Sequence, residues 1–587
     1  MLESGKRREF LSQRYKWVYE AADVGKVTRL SKALSIPAAL AELLVKRGIG
    51  EPNLVRTFFE NSLASTLDPF LMKDMKKGAE RLAAAVKRKE PICIYGDYDV
   101  DGITSTSLMY LFLRSLGITA EYYIPNRLEE GYGLNIDSIR EIAQKGIKLL
   151  VTVDCGISAF KETAAAAEAG MDVIITDHHF AGDEIPAALA VINPMRKDDP
   201  YPFKMLAGVG VAFKLCCAVR RVLRGDPEFR GELPNLKQFL DIVALGTVAD
   251  VMPLHGENRI MVVHGLKILA TGARVGIDEL KKVAGIDNVQ FSSNHIAFAL
   301  APRINAVGRL GDSYRGVDLL IANDREEAAA IARELNRENH FRHELENQIL
   351  NEVFERIERD SLASRGGFVL YSPKWHPGVL GIVASRVVER YFKPAVILSE
   401  DNGVLKGSAR SIPAFNLYEA LSSISDIFIS FGGHKYAAGV KLKAEKGREF
   451  AERFDAAVKN ALKQEDFFPA LYVDAVLPPR EINNSFMDAL MNLEPFGEAN
   501  RQPVFITSGV RRLGKVAFVG RDDPKKHAKC IFHKDGIALD AIGYNMRSYK
   551  DILTTHDRFD ILYSLTYNTY NNIPKPQLVL KDLRVSP

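Results

Sequence analysis

Cysteine is scarce in this chain of 587 residues. The five present, Cys93, Cys155, Cys216, Cys217 and Cys530, show no CxxC spacing. That suggests neither a structural zinc site nor a disulfide framework, and it fits a reducing compartment. Long apolar runs are missing too. The N-terminal stretch "MLESGKRREFLSQRYKW" carries charges where a signal peptide needs an apolar core. A soluble, cytoplasmic protein with no membrane partner is expected. Low-complexity tracts and simple repeats are absent, and 47% hydrophobic with 26% charged residues is an ordinary globular composition. At this length three or four domains are expected.

Net charge is only +4, but it is unevenly spread. In residues 501–587 Lys and Arg outnumber Asp by 15 to 8 with no Glu, so the rest of the chain is mildly acidic. A basic C-terminal module suits a polyanionic partner, although a basic face is also ordinary solvated surface.

From about residue 75, helical and strand patterns alternate: "DMKKGAERLAAAVKRK", "PICIY", "GITSTSLMYLFLRSLG", "AEYYIP", "IDSIREIAQKG", "IKLLVTVD", "SAFKETAAAAEAG", "MDVIITD". Repeated βα units predict a doubly wound parallel sheet over residues 76–323. Residues 324–360 predict one long helix, with Asp324 and Glu327 as a capping pair and an apolar stripe of Ile331, Leu335, Leu345, Ile349 and Val353. A smaller α/β domain is expected over 361–462 and an all-β barrel over 463–587. Residues 1–75 are expected to pack on the other domains.

In doubly wound sheets, ligands bind beyond the carboxyl ends of the strands. Four chemistry-bearing segments fall at such ends or near them. They hold Asp97, Asp99 and Asp101; Asp154; Asp177, His178 and His179; and Asp250. Singly, each has an ordinary explanation as a helix cap, a turn or polar surface. Together they place at least four carboxylates and two imidazoles on one edge, which metal cations neutralise. Oxygen and imidazole donors without thiolate point to Mn²⁺ or Mg²⁺. So many donors suit two ions about 3.5–4 Å apart flanking a phosphoester.

"DYDVDG", "VDCG", "DHH" and "GTVADVMPL", in this order, resemble the four motifs of the DHH phosphoesterase superfamily. "WHPGVLGIVASR", "GSARS" and "FGGHKYAAG" resemble its DHHA1 domain. "PRINAVGR", Tyr95 in place of a histidine, and the extra acid Asp97 resemble the RecJ-type branch. The resemblance implies a DHH domain joined by the long helix to a DHHA1 domain, then an OB-like barrel. It implies that Asp97, Asp99, Asp101, Asp154, His178 and Asp250 serve two Mn²⁺ or Mg²⁺ ions, with Asp154 bridging and Asp97 a ligand or its close partner. His179 would meet the scissile phosphate, making Asp154, His179 and Asp97 the catalytic set, while Asp177 orients the neighbouring histidine.

It further implies phosphate binding by Arg303, Asn305 and Arg309, and by Ser408, Arg410, Gly432, Gly433 and His434. Guanidinium forks, a hydroxyl and exposed backbone N–H groups suit that task. In the barrel, Lys525, Lys526 and Lys529 would contact nucleic-acid backbone. Tyr544, Tyr563, Tyr567 and Tyr570 are stacking candidates, of which Tyr563 and Tyr567 suit a core equally well. The expected function is 5′ to 3′ exonuclease action on single-stranded DNA, giving 5′-mononucleotides in DNA repair and recombination. The expected protein is a monomer working with a helicase and a single-strand-binding protein. The alternatives are a phosphodiesterase for short oligonucleotides or cyclic dinucleotides, and a non-catalytic replication scaffold.

Overall fold

The runs "ICIYG" and "LLVTV" have no polar face, and both form strands buried on each side. Ile92–Gly96 pairs in parallel with Leu149–Val153, Ile92 opposite Leu149 and Gly96 opposite Val153. The computed structural model of the chain describes residues 7–126, 130–131, 133–272, 274–287, 289, 291–310, 312–520, 525–568 and 574–586, without the side chains of Arg7, Arg309 and Leu310. Glu121–Tyr123 adds one edge of this parallel sheet, and Asp172–Thr176 followed by Ala190–Ile192 adds the other. Ala190–Ile192 was not anticipated, because three apolar residues carry no period of their own.

Successive strand residues face opposite sides, so the sheet separates two cores. Ile92, Ile94 and Val151 pack with the helices Met75–Arg88, Val100–Ser115 and Gly208–Gly225. Cys93, Tyr95 and Leu150 pack with Ile136–Gln144 and Phe160–Glu168. At about 25 cal/mol per Å² of apolar surface, two such cores are the main favourable term holding the sheet edge in place.

The long helix is Arg325–Arg359, 35 residues, with Asp324 accepting a hydrogen bond from the Glu327 N–H at 2.8 Å. Its expected stripe is buried at Ile331, Leu335, Ile349 and Val353, with Leu345 partly buried. Its middle turns bury polar Asn339, Arg342 and Glu346 instead. Beyond it, a five-stranded sheet has the order Phe428–Gly433, Ala437–Lys443, Val404–Arg410, Ala395–Asp401, Phe368–Ser372, antiparallel except for its last pair.

The chain up to Glu60, with Lys459–Glu494 and Arg501–Pro587, forms one compact unit; Asn61–Val458 with Pro495–Asn500 forms the other. In the first, Phe505–Val519, His527–Lys534, Ile537–Gly543, Lys575–Val585 and Arg558–Asn568 close into a barrel through pairing of the first strand with the last. Lys16–Glu20 pairs in parallel with Ala470–Val473, so N-terminal chain is built into this unit. Two short helices, Asn484–Met491 and Lys550–Thr555, interrupt what the sequence reading expected to be all strand.

Candidate metal and active site

The aspartate-rich loop leaves the central strand and turns at once into a helix. Asp99 caps that helix, its Oδ1 accepting from the N–H groups of Asp101 (2.9 Å) and Gly102 (3.1 Å). A Cβ on Gly102 would lie 2.3 Å from the Asp97 carbonyl oxygen, so only glycine lets the helix start this close to the loop. Asp101 accepts from the N–H groups of Gly208 (2.7 Å) and Val209 (2.9 Å), in the first turn of a helix whose own cap residue, Ala207, has no side-chain acceptor. The Asp101 carboxylate therefore satisfies the start of a second helix while it faces the site.

Asp154 follows Leu149–Val153 with φ 62°, a left-handed backbone that costs a non-glycine residue stability. Its N–H donates to the Thr176 carbonyl at 3.0 Å, which fixes it against the next strand. A Cβ on Gly208 would stand 2.5 Å from Asp154 Oδ1. Asp177 accepts from the N–H groups of Ile157 (2.9 Å), His178 (2.7 Å) and His179 (3.0 Å), and its Oδ1 is 2.7 Å from His179 Nδ1. Asp250 ends the helix Leu240–Ala249.

These side chains converge. His178 Nε2 lies 3.1 Å from Asp154 Oδ1, 3.6 Å from Asp250 Oδ2 and 3.7 Å from Asp101 Oδ2. Asp154 Oδ1 is buried and accepts no hydrogen bond among the described residues. Three overlapping donor sets result: Asp97, Asp99 and Asp154; Asp101, His178 and Asp250; Asp154, His178 and His179, each with ligand atoms within 4.8 Å of one another. Asp154 and His178 each belong to two sets, the geometry of adjacent centres sharing donors. Cys155, the nearest thiol in sequence, points its Sγ at the Tyr95 carbonyl. The donors present fit hard divalent cations.

Without a cation the cluster is electrostatically unfavourable. Burial, then the Asp99 charge, pushes Asp101 up to about 7. Burial, then Asp101 and Asp99, pushes Asp250 up to about 8. Asp154 is raised well above the carboxylate range by burial and by the charges of Asp101, Asp99, Asp97 and Asp250. The two histidines separate. Burial, then His179, lowers His178 to about 4, and its ring is held by the Leu206 backbone. Burial also disfavours charge on His179, but the Asp177 hydrogen bond and charge outweigh it and raise His179 to about 9. Burial works to raise Asp177, and its hydrogen bonds with charged His179 hold it below the carboxylate range instead.

The remaining expected residues lie elsewhere. Arg303 and Asn305 are on the helix Ala301–Leu310, where Arg303 donates to Asn336 Oδ1 (3.0 Å) on the long helix and to the Ala299 carbonyl (2.7 Å). Arg309 is on the same helix, its side chain outside the described residues. Ser408 and Arg410 share a strand of the second sheet, with Gly432 and Gly433 on its edge strand and His434 in the turn that follows. Lys525, Lys526 and Lys529 are exposed on the barrel unit. Tyr544 is 55% exposed, while Tyr563 is fully buried with its hydroxyl 2.9 Å from Thr507 Oγ1, which removes it from the stacking candidates. Tyr567 donates to Asp488 Oδ1 at 2.9 Å, and Tyr570 lies outside the described residues. Sequence reading missed Gly208, Val209 and Leu206, whose backbone atoms hold Asp101 and His178. The small-residue run "AGVG" at 207–210 was the available signal.

Residues 91–247 match the DHH family N-terminal domain, 365–460 the DHHA1 domain and 473–582 the RecJ OB domain. The single-stranded-DNA-specific exonuclease RecJ of Bacillus subtilis (strain 168) is 40% identical over 98% of this chain and 72% of its own. The crystal structure of RecJ with Mn²⁺ from Thermus thermophilus superposes with a TM-score of 0.82 at 28% identity, covering 98% of this chain and 80% of that one. The corresponding Mg²⁺ structure gives 0.75 at 27% identity, covering 97% and 78%. This chain belongs to the RecJ family of DHH proteins.

Proposed function

We propose that the chain is a metal-dependent exonuclease that degrades single-stranded DNA from its 5′ end to 5′-mononucleotides, in DNA repair and recombination. The observation that carries this reading is the convergence of six carboxylate and imidazole donors, Asp97, Asp99, Asp101, Asp154, His178 and Asp250, at the edge of the parallel sheet. A relative named as a single-stranded-DNA-specific exonuclease, similar along nearly the whole chain, supports the exonuclease part of this reading. The six residues would hold two Mn²⁺ or Mg²⁺ ions, Asp154 being a member of two of the three donor sets. Such a pair neutralises a phosphodiester's charge and makes water a nucleophile at neutral pH.

The chain's own residues do the positioning. His178, kept neutral, offers a lone pair instead of a competing proton. Asp177 fixes the His179 ring through Nδ1 and leaves its outer nitrogen to face a phosphate oxygen. Arg303, Asn305 and Arg309 would steady the strand on one side. Ser408, Arg410, Gly432, Gly433 and His434 would do so on the other. Lys525, Lys526 and Lys529 would hold strand backbone on the barrel. The working form is a cytoplasmic monomer supplied with strand by a helicase and a single-strand-binding protein.

Incubating 5′- and 3′-end-labelled single-stranded and blunt duplex DNA with Mn²⁺ tests the reading. Mononucleotide release from the 5′ label of the single strand is expected. A ladder growing only from the 3′ end, or equal loss of blunt duplex, overturns it. Activity confined to dinucleotides favours the short-oligonucleotide alternative.

A further inference from the structure

The segment that delivers the two histidines continues into a side chain that the proposed chemistry leaves unused. Phe180 follows His179 directly and is 75% exposed, although Asp177, three residues before it, is wholly buried. A single exposed apolar side chain is ordinary at a surface. What sets Phe180 apart is its place beside the donor cluster and a backbone that is held on both sides.

Before it, Asp177 accepts from the N–H groups of His178 and His179, and the His179 carbonyl accepts from Nδ2 of the wholly buried Asn193 at 2.9 Å. Asn193 is itself fixed, its Oδ1 accepting from the Met195 N–H at 2.8 Å. After it, Ala181 is buried in the core that contains Ile175 and Val191. The phenyl ring between these two anchors stands in water, where it adds little to the fold. His179 Nδ1 lies 4.0 Å from Asp154 Oδ1, so a phosphodiester held at this edge brings its nucleosides against the chain just beyond His179.

We propose that Phe180 positions the end of the strand, its ring stacking on a base that adjoins the scissile phosphate. The inference rests on the single-strand exonuclease reading above. The residue type suits the task. An enzyme that removes every nucleotide in turn needs a contact that all four bases satisfy, and each base has a flat face to stack, while a phenyl ring offers no hydrogen bond with which to discriminate among them.

The test is steady-state cleavage of an oligothymidylate by the full chain with Mn²⁺. Two oligomers of equal length compete with it, one abasic at the first two positions from the 5′ end and one abasic at two interior positions. Phe180→Ala should raise KM for oligothymidylate about tenfold with kcat nearly kept, and Phe180→Trp should restore KM. The end-abasic competitor should inhibit wild type and Phe180→Ala with equal constants, whereas the interior-abasic competitor should lose affinity for Phe180→Ala as oligothymidylate does. Mn²⁺ affinity and melting temperature should not change, because the ring lies outside the core. An unchanged KM for Phe180→Ala overturns the proposal. So does an equal loss on all three oligomers, which would give the ring a role in loop geometry, and so does a fall in sedimentation mass on substitution, which would make it a self-association contact. Failure of the wild type to cleave oligothymidylate overturns the exonuclease reading itself.

Discussion

The two sheets of the larger unit carry opposite electrostatic problems. The first gathers Asp97, Asp99, Asp101, Asp154 and Asp250 at one edge, largely buried, so that their repulsion is felt at low dielectric. The second presents Lys406 and Lys441 directly opposite each other and exposed to water, where screening makes their repulsion small. Burial makes the first cluster a fixed set of donors suited to cations, and exposure leaves the lysines of the second accessible to a polyanion. Chemistry belongs where charge is buried and positioned; grip belongs where it is accessible.

The sharpest way to break that contrast is Asp154→Ala. Activity with Mn²⁺ should fall at least about a thousandfold, since two donor sets lose a shared member. The metal-free variant should also melt higher than the metal-free wild type, because a buried repelling carboxylate is gone. Loss of activity with a lower melting point would point to misfolding instead. His179→Ala should cost about a hundredfold or more in kcat. Asp177→Asn should cost about tenfold and move the alkaline limb of the pH profile to lower pH, as the ring loses the hydrogen bond and charge that raise it. On the second sheet, Arg410→Ala should raise KM by about tenfold with kcat nearly kept, since a charged hydrogen bond contributes about 1.5–3 kcal/mol. An effect mainly on kcat would erase the division between the two sheets.

The smallest effect expected is on stability. Asp101 and Asp250 titrate in the folded, metal-free protein at about 7 and about 8, above their ordinary value of 3.8. Between those limits the folded state binds more protons than the unfolded one, so stability falls as pH rises from about 4 to about 8. His179 extends the fall towards 9, and His178, lowered to about 4, opposes part of it below 6.5. Scanning calorimetry with chelator should show the melting point falling from pH 5 to pH 8. The increase on adding Mn²⁺ should grow over the same range, because ligands must be deprotonated to bind.

Much of this was legible beforehand. Buried strands without a polar face, joined by helices, specify a parallel sheet, and acids at their carboxyl ends then share an edge. The long helix was legible from its cap and stripe. Polar Asn339, Arg342 and Glu346 in its middle were not, because a charged residue in a helix reads as surface unless its neighbours in space are known. The placement of Lys16–Glu20 beside Ala470–Val473 was equally hidden, since pairing across more than 400 residues leaves no local period.

Sequence by itself determined that the acids and histidines following the strands share the carboxyl edge of the first sheet, because βα alternation follows from local hydrophobic pattern. Tertiary structure alone decided what each of them does there. Asp154 is held in a left-handed conformation against Thr176, and Asp101 divides itself between a helix end and the cluster. The adjacent His178 and His179 are pushed in opposite directions, His178 down by burial and His179 up by its hydrogen bond to Asp177. These outcomes depend on burial and on partners distant in sequence, and charge energetics respond to distance in space.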